Sequence, residues 1–165
     1  MNGEYVFDDK NKLVRYLYST LSNPTQIKVQ KTLYLLYAFY GATYGRLSLS
    51  ENKEDFQGQY YPKELFPATF QAWRYGPVEY DVYRDEKSGL FNDVCEVVLE
   101  KETPEMFNIV QFIDDLVSQT DKIDDFSLVD RTHQDDSWVS KYVEGSKYIE
   151  MNNEQIIQEY LGRYF

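Results

Sequence analysis

The stretch Lys28–Tyr40 reads KVQKTLYLLYAFY and decides the fold class of this 165-residue chain. Its apolar side chains surround a helix instead of forming one stripe, which is typical of a helix buried in the middle of a bundle. We therefore predict a buried central helix over about residues 24–44, with Leu33, Leu36 and Tyr37 in the core.

Capping residues and apolar periodicity predict further helices on both sides of the central one. The central helix itself should begin with Asn23 as its N-cap and Pro24 as its first residue. Together the pattern predicts a mainly α fold: a single-domain helical bundle over residues 1–165, with minor irregular or β-hairpin insertions. The other predicted helices have these approximate bounds: Asp9 to Ser22, Val78 to Lys87, Thr103 to Val117, Asp124 to Thr132, Asp136 to Glu144, and Asn152 to Leu161.

The segment FQAWRYGPV, residues 70–78, interrupts the helical pattern. Gly76 permits backbone conformations that other residues resist, while Pro77 fixes its own φ and has no N–H. We predict a rigid Gly-Pro corner that launches the next helix, with Pro77 near its first position.

Three side chains just before this corner bear on function. In an extended segment Trp73 and Tyr75 share one face, and Arg74 points away. The rings either clamp the corner onto the bundle or form a fixed platform for a protein partner, since Trp, Tyr and Arg dominate interface hot spots. The spacing alone favours the first interpretation modestly.

Two stretches are less regular. Residues 46–69 combine the charged run Glu51–Asp55 with a part rich in Gly, Pro and aromatic residues, which predicts a packed excursion or a short hairpin. Asp93–Leu99 favours β structure, and its apolar residues predict that Cys95 is a packed and unreactive thiol.

Composition limits the classes of function. The net charge is −11, from 17 basic and 28 acidic residues, and no basic patch is visible, so nucleic acid is a disfavoured partner. The longest apolar or aromatic run, Leu33–Tyr40, is far shorter than the roughly 20 residues of a membrane helix. No signal peptide is visible, and the one cysteine fits a reducing compartment, so we expect a cytoplasmic protein with no membrane association.

Aromatic residues are unusually frequent. Sixteen Tyr, ten Phe and two Trp make up 17% of the chain. Tyr combines a large rigid ring with a polar tip and is enriched at protein interfaces. A Tyr-rich core whose hydroxyls reach solvent explains the composition equally well, so both interpretations stay open.

Residues with catalytic or metal-binding chemistry are few. His133, the only histidine, lies near Asp135 and Asp136, but no second histidine or cysteine pair completes a zinc site. A histidine that ends one helix and acids that begin the next fit helix-dipole effects better. No nucleophile elbow, phosphate loop or dinucleotide motif is present. We expect no enzyme activity, catalytic residue, metal, cofactor or small-molecule substrate.

Three stretches together resemble one known family. KVQKTLYLLYAFY, FQAWRYGPVEYDVY and LVDRTHQDDSWVSKY, in this order, are similar to the Panacea antitoxin domain, also called SocA-like. The resemblance covers about residues 10–165, and the A-W-x-Y-G-P-V heptad is its most specific part. The matching positions are Gln30, Lys31, Leu33, Tyr34 and Tyr37 in the helix, Ala72, Trp73, Tyr75, Gly76, Pro77 and Val78 in the corner, and Thr132, His133, Asp136 and Trp138 in the late element.

The resemblance implies a mainly helical, non-enzymatic antitoxin of a toxin–antitoxin pair, often associated with phages or mobile elements. Such an antitoxin neutralises a protein toxin, encoded next to it, by direct binding. The chain departs from the family pattern in two places, with extended segments near residues 47–69 and 91–101. These insertions are candidates for partner-specific contacts.

The combined hypothesis is a protein-binding module. We predict that His133 and Trp138 brace the corner from the far end of the chain. The alternatives are an adaptor that presents a bound protein to a protease and a regulator that binds nucleic acid. The predicted partner-binding residues are Trp73, Arg74, Tyr75 and Tyr83 near the corner, and Tyr60 and Tyr61 in the first insertion.

Overall fold

A computed structural model describes residues 3–49 and 60–165, and over these the chain is mainly α-helical with one small antiparallel sheet. Predictions that concern residues 50–59 lie outside the described residues. No described helix combines the length and the apolar character needed to cross a membrane. The elements are α1 (Lys10–Thr20), α2 (Gln26–Thr43), a 3-10 helix (Gly45–Leu49), β1 (Phe70–Trp73), β2 (Gly76–Glu79), α3 (Tyr80–Lys87), α4 (Pro104–Asp121), α5 (Asp125–Thr132), α6 (Asp136–Val139) and α7 (Asn153–Tyr164).

α2 packs against α1, α4, α5, α7 and β2, and most of its 18 residues are buried. Three tyrosines of this helix have no exposed surface, and each hydroxyl finds an acceptor. Tyr34 donates to Asp135 at 2.8 Å, Tyr37 to Glu64, and Tyr40 to the Pro62 carbonyl at 2.7 Å. Because these polar tips are satisfied, the large rings add apolar burial without an unpaired hydroxyl.

Local capping signals located several helix ends correctly. The side chain of Asp9 caps α1 by accepting from the Asn11 N–H at 3.0 Å. Thr103 caps α4 with Pro104 at its first position, and Asn152 caps α7 by accepting from the Gln155 N–H. These predictions are confirmed because a cap depends on only four consecutive residues.

Other predicted boundaries are wrong. α2 begins at Gln26, because Thr25 and not Asn23 caps it by accepting from the Lys28 N–H at 3.1 Å. α3 begins at Tyr80 with Glu79 as its cap. The helix predicted to reach Glu144 ends at Val139, five residues earlier, as α6.

Pro77 lies in β2, so its predicted place in the first turn of a helix is wrong. β1 and β2 form a hairpin in which Trp73 pairs with Gly76 and Ala72 with Pro77. The N–H of Ala72 points away from β2 and donates to the Ile149 carbonyl at 2.9 Å. The Ala72–Pro77 pair therefore exchanges no ladder hydrogen bond, and the missing N–H of the proline leaves no gap.

The segment predicted as β-prone, residues 93–99, forms no strand. Only Leu99 in it is buried, and Val98 is among the most exposed apolar residues of the described chain. Cys95 is exposed, so the prediction of a packed thiol is wrong. The apolar residues of this segment are therefore mostly not packed against the rest of the protein, although the sequence suggested that they would be.

A buried carboxylate joins α2, α5 and α7. Asp135 has no exposed surface, and each of its oxygens accepts two hydrogen bonds. Oδ2 accepts from the hydroxyls of Tyr34 (2.8 Å) and Tyr160 (2.6 Å), and Oδ1 accepts from Arg131 (2.9 Å) and Arg163 (2.8 Å). Burial raises the pKa of Tyr34 and of Tyr160, so both hydroxyls keep the protons they donate.

We expect Asp135→Asn to lower the free energy of unfolding by about 3 kcal/mol, because it removes the charge of a fully buried carboxylate that Arg131 and Arg163 share. Urea denaturation measures the change. Asp136→Asn is the matched control. The carboxylate of Asp136 is exposed, and the loss of its charge should lower the free energy of unfolding by less than about 1 kcal/mol. Equal effects of the two substitutions would contradict the assigned role of Asp135.

We expect Gly76→Ala to destabilise the protein by about 2 kcal/mol or more. Gly76 has φ of +103°, and an added Cβ would lie 2.5 Å from Thr132 Oγ1. Gly162→Ala is the control, since it lies exposed in α7 with nothing within 4 Å and should be neutral or slightly stabilising. A Tm for Gly76→Ala equal to that of the unsubstituted protein would refute the requirement for glycine.

Candidate functional site

Three separated stretches, residues 28–40, 70–83 and 128–142, meet at the turn of the β1–β2 hairpin. Arg74 and Tyr75 form the two-residue turn. Trp138 Nε1 donates to the Trp73 carbonyl at 2.8 Å, and His133 Nε2 lies 3.0 Å from the Arg74 carbonyl. A carbonyl oxygen only accepts, so this hydrogen bond requires the proton on Nε2. The late element therefore holds both carbonyls that lead into the turn.

The two rings that hold the turn support each other. The imidazole of His133 is stacked on the indole of Trp138, with 4.1 Å between centroids and 16° between planes. The other side of this group continues with Tyr142, stacked on Trp138 at 4.7 Å. Stacked rings of this kind fix the side chains whose nitrogens contact the turn.

α2 holds the outer edge of β2 with two side chains. Gln30 Oε1 accepts from the Glu79 N–H at 2.7 Å, and its Nε2 donates to the Glu79 carbonyl at 3.2 Å. Lys31 Nζ donates to the Pro77 carbonyl at 2.9 Å. Both side chains are buried, so α2 supplies the hydrogen bonds that a third strand would otherwise make.

A groove of about 460 Å³ lies beside the turn. This volume is within the range of sites that bind ligands or a few side chains of a partner. Four of its lining residues are aromatic: Trp73, Tyr75, Tyr83 and Tyr142.

Trp73 forms a fixed wall of this groove. The rings of Tyr83 and Trp73 meet edge-on, with 4.7 Å between their centroids. The Nε1 of Trp73 donates to Gln71 Oε1 at 2.9 Å. The ammonium of Lys147 lies 5.1 Å from the centroid of the indole. Trp73 is thus held on several sides and presents a rigid, half-buried surface.

Exposed aromatic rings continue the surface outside the groove. Tyr75 is 48% exposed, with the Phe126 ring edge-on at 5.9 Å and the Arg74 guanidinium 5.7 Å from its centroid. Tyr148 is exposed on the other side, edge-on to Trp73 at 6.2 Å. We call Tyr75, Phe126 and Tyr148 the aromatic rim.

The charges of the groove differ in sign from those of the whole chain. Lys31, Arg74 and Lys147 line it together with a single carboxylate, that of Glu144. The protein as a whole carries a net charge of −11. The groove is therefore a local positive surface on an acidic protein.

Lys31 is the buried cation of the groove. It is 2% exposed, and among the described residues no carboxylate oxygen lies within 4 Å of its Nζ. Burial away from water lowers the pKa of Lys31 to about 7. Near neutral pH the site thus holds an amine that is partly charged and partly neutral.

The structure brings four of the predicted partner-binding residues together and separates the other two. Trp73, Arg74, Tyr75 and Tyr83 all line the groove. Tyr60 is 52% exposed but is not one of the lining residues.

Tyr61 is only 4% exposed, so the prediction that it is an exposed residue is wrong. Its ring packs on Tyr44 at 4.8 Å and its hydroxyl accepts from Asn108 at 3.0 Å. Tyr44 directly follows α2 and Asn108 lies in α4, so the burial of Tyr61 depends on other parts of the chain.

Sequence reasoning missed the far wall of the groove. Tyr142, Glu144 and Lys147 follow α6 and reach the groove because the chain returns across the hairpin. Ala72 and Phe70 of β1 make this return possible by pairing with the backbone at residues 149–151. The local sequence carries no signal for such a return.

Comparison with protein-family models, with curated proteins and with solved structures gave no match for this chain. Within residues 3–49 and 60–165, no group of three or more His, Cys, Asp or Glu side chains is arranged to hold a metal ion. The residues that define the site are thus the aromatic and cationic side chains of the groove.

We expect the stability of the protein to rise between pH 7 and pH 9 because of Lys31. Its pKa is about 7 in the folded state and near 10.5 in the unfolded chain, so the unfolded chain binds more protons in this range. The free energy of unfolding should gain about 2 kcal/mol from this residue over those two pH units, and its dependence on pH should fade within about two units below pH 7.

Urea denaturation at several pH values measures this gain, with Lys31→Met as the matched variant that cannot titrate. As the pH rises, the unfolding free energy of the unsubstituted protein should increase relative to that of Lys31→Met. A difference that stays constant from pH 7 to pH 9 would show that Lys31 has an ordinary pKa.

Proposed function

We propose that this protein is the antitoxin of a toxin–antitoxin pair and that it neutralises a protein toxin by binding it directly. The observation that carries the proposal is the meeting of three separated stretches at one turn. Lys31, Gly76 and Thr132, one from each stretch that resembles the Panacea domain, lie in contact around it. A buried α2 and a rigid Gly76-Pro77 hairpin are the scaffold that we propose for this domain.

The surface around the turn has the composition of a protein-binding site. Trp, Tyr and Arg are the residue types most frequent at interface hot spots. Here Trp73, Arg74 and Tyr75 are consecutive, and the groove and the aromatic rim surround them. Rings that are already fixed lose little conformational entropy on binding, which favours affinity.

The charge of the protein supports a partner of opposite sign. A net charge of −11 accelerates encounter with a basic protein through long-range attraction. The groove then supplies the short-range contacts. We propose that the toxin is encoded next to this protein and that both act in the cytoplasm.

Co-expression with the adjacent open reading frame tests the proposal. We expect that reading frame to stop growth alone and to be harmless together with this protein. Arg74→Ala and Tyr75→Ala should each weaken binding by about 10-fold, measured as Kd by calorimetry, since interface hot spots contribute about 1–2 kcal/mol or more.

Phe107→Ala is the matched control, because this exposed ring of α4 does not line the groove and its loss should leave Kd unchanged. A neighbour that is harmless alone, or equally toxic with and without this protein, would refute the antitoxin function. Full affinity of both turn variants would place the interface elsewhere.

A further inference from the structure

We propose that the groove receives a carboxylate side chain of the toxin, which forms an ion pair with Lys31 beneath the hairpin turn. The inference rests on the proposed antitoxin function and names the chemistry that its partner brings to this site. It concerns one contact at the base of the groove, and the exposed aromatic rim would surround that contact.

Lys31 has hydrogen-bond donors that the described residues leave without an acceptor. A lysine ammonium has three hydrogen-bond donors, and one of them donates to the Pro77 carbonyl at 2.9 Å. No other acceptor among the described residues lies within hydrogen-bond distance, and no described carboxylate lies within 4 Å. Lysine is almost never buried to this degree without a counter-charge. The free protein therefore buries an amine that is partly charged near neutral pH and has no counter-charge among the described residues.

The position of Lys31 supports the same inference. Lys31 is one of the residues that line the groove, and its Nζ lies beside Gly76. A Cβ at Gly76 would lie 3.5 Å from Nζ and 3.0 Å from Cε. The glycine thus leaves room for the ammonium directly under the turn, on a residue that lines the groove.

The charges of the side chains that line the groove are complementary to a carboxylate. Three cations line the groove against one carboxylate, on a protein with a net charge of −11. Arg74 lies against the ring of Tyr75 and Lys147 against that of Trp73, so both outer cations are positioned on aromatic rings at the groove. This arrangement attracts an anion and repels a cation at a place where the acidic protein is locally positive.

A carboxylate of a protein fits this site better than a nucleotide does. The ammonium of Lys147 lies over one face of the Trp73 indole and Tyr83 packs against the same ring, so less of the indole is open to a stacking base. The remaining surface is aromatic and suits the apolar neighbours of an acidic side chain on a protein segment.

The titratable groups around Lys31 are engaged elsewhere. Glu79 of β2 binds Lys10 at 3.1 Å, and His133 at the end of α5 contacts the Arg74 carbonyl. On α3, Tyr83 packs against Trp73, and on the far wall the hydroxyl of Tyr142 donates to Glu144 at 2.8 Å. An incoming carboxylate therefore has no competitor for Lys31 among these groups.

Formation of the ion pair changes the protonation of the protein. The pKa of Lys31 is about 7 in the free protein, so at pH 8 most molecules carry the neutral amine. A carboxylate beside it favours the charged form and raises the pKa again. Binding of the toxin at pH 8 should then take up close to one proton for each complex.

Calorimetry of toxin binding at pH 8, in phosphate and in Tris buffer, measures this uptake from the difference in apparent enthalpy. We expect close to one proton for the unsubstituted protein and for Lys122→Met, an exposed lysine that does not line the groove, and none for Lys31→Met. A complex that forms without proton uptake, or an uptake that Lys31→Met retains, would overturn the inference and leave the antitoxin function standing. Absence of any complex would instead refute the antitoxin function and the inference together.

A second measurement keeps the test independent of the Lys31→Met variant. The 13Cε signal of Lys31 in the unsubstituted protein reports its titration directly, alone, with toxin, and with 10 mM acetate as a free small acid. We expect the titration midpoint to rise with toxin and to stay near 7 with acetate. An equal rise with acetate would show a site for small free acids and overturn the inference, as would an unchanged midpoint with toxin.

Discussion

The outer edge of a four-residue strand is the constraint on which this structure depends. β2 has a neighbouring strand on one side only, and its other edge is buried, so its backbone groups require partners there. α2 supplies them through Gln30 and Lys31, two adjacent residues of one helical turn. This contact fixes the hairpin on the helix and thereby fixes the position of the turn. The groove and the aromatic rim follow from that position.

Much of the helical architecture was predictable because its signals are local. Capping at Asp9, Thr103 and Asn152 involves residues at most three positions apart, and the even distribution of apolar residues indicated the burial of α2. Pro77 was misassigned because a proline suits both the first turn of a helix and a strand position without a ladder bond. Whether Pro77 lies in a helix or in a strand depends on the pairing of β1 with the backbone at Ile149, more than 70 residues away along the chain.

The candidate site was predictable only where it is contiguous in sequence. Trp73, Arg74 and Tyr75 could be named from the hairpin segment, whereas the wall after α6 depends on how the chain returns. The two neighbouring acids of the late element show the same limit. Asp135 is buried and Asp136 exposed because Tyr160 and Arg163 of α7 reach the former; Arg131, four residues before Asp135, is its one partner nearby in sequence among these contacts.

The packing of α2 against α7 also determines when the core can close during synthesis. The end of α2 and the start of α7 are separated by 110 residues, from Thr43 to Asn153. At the usual rates of translation, roughly 5–20 residues per second, the ribosome takes on the order of 10 s to make that interval. During this time α2, whose residues are mostly buried in the folded protein, has no α7 to cover it. The nascent protein therefore presents the surface that chaperones recognise before it can present the finished hairpin turn to a partner.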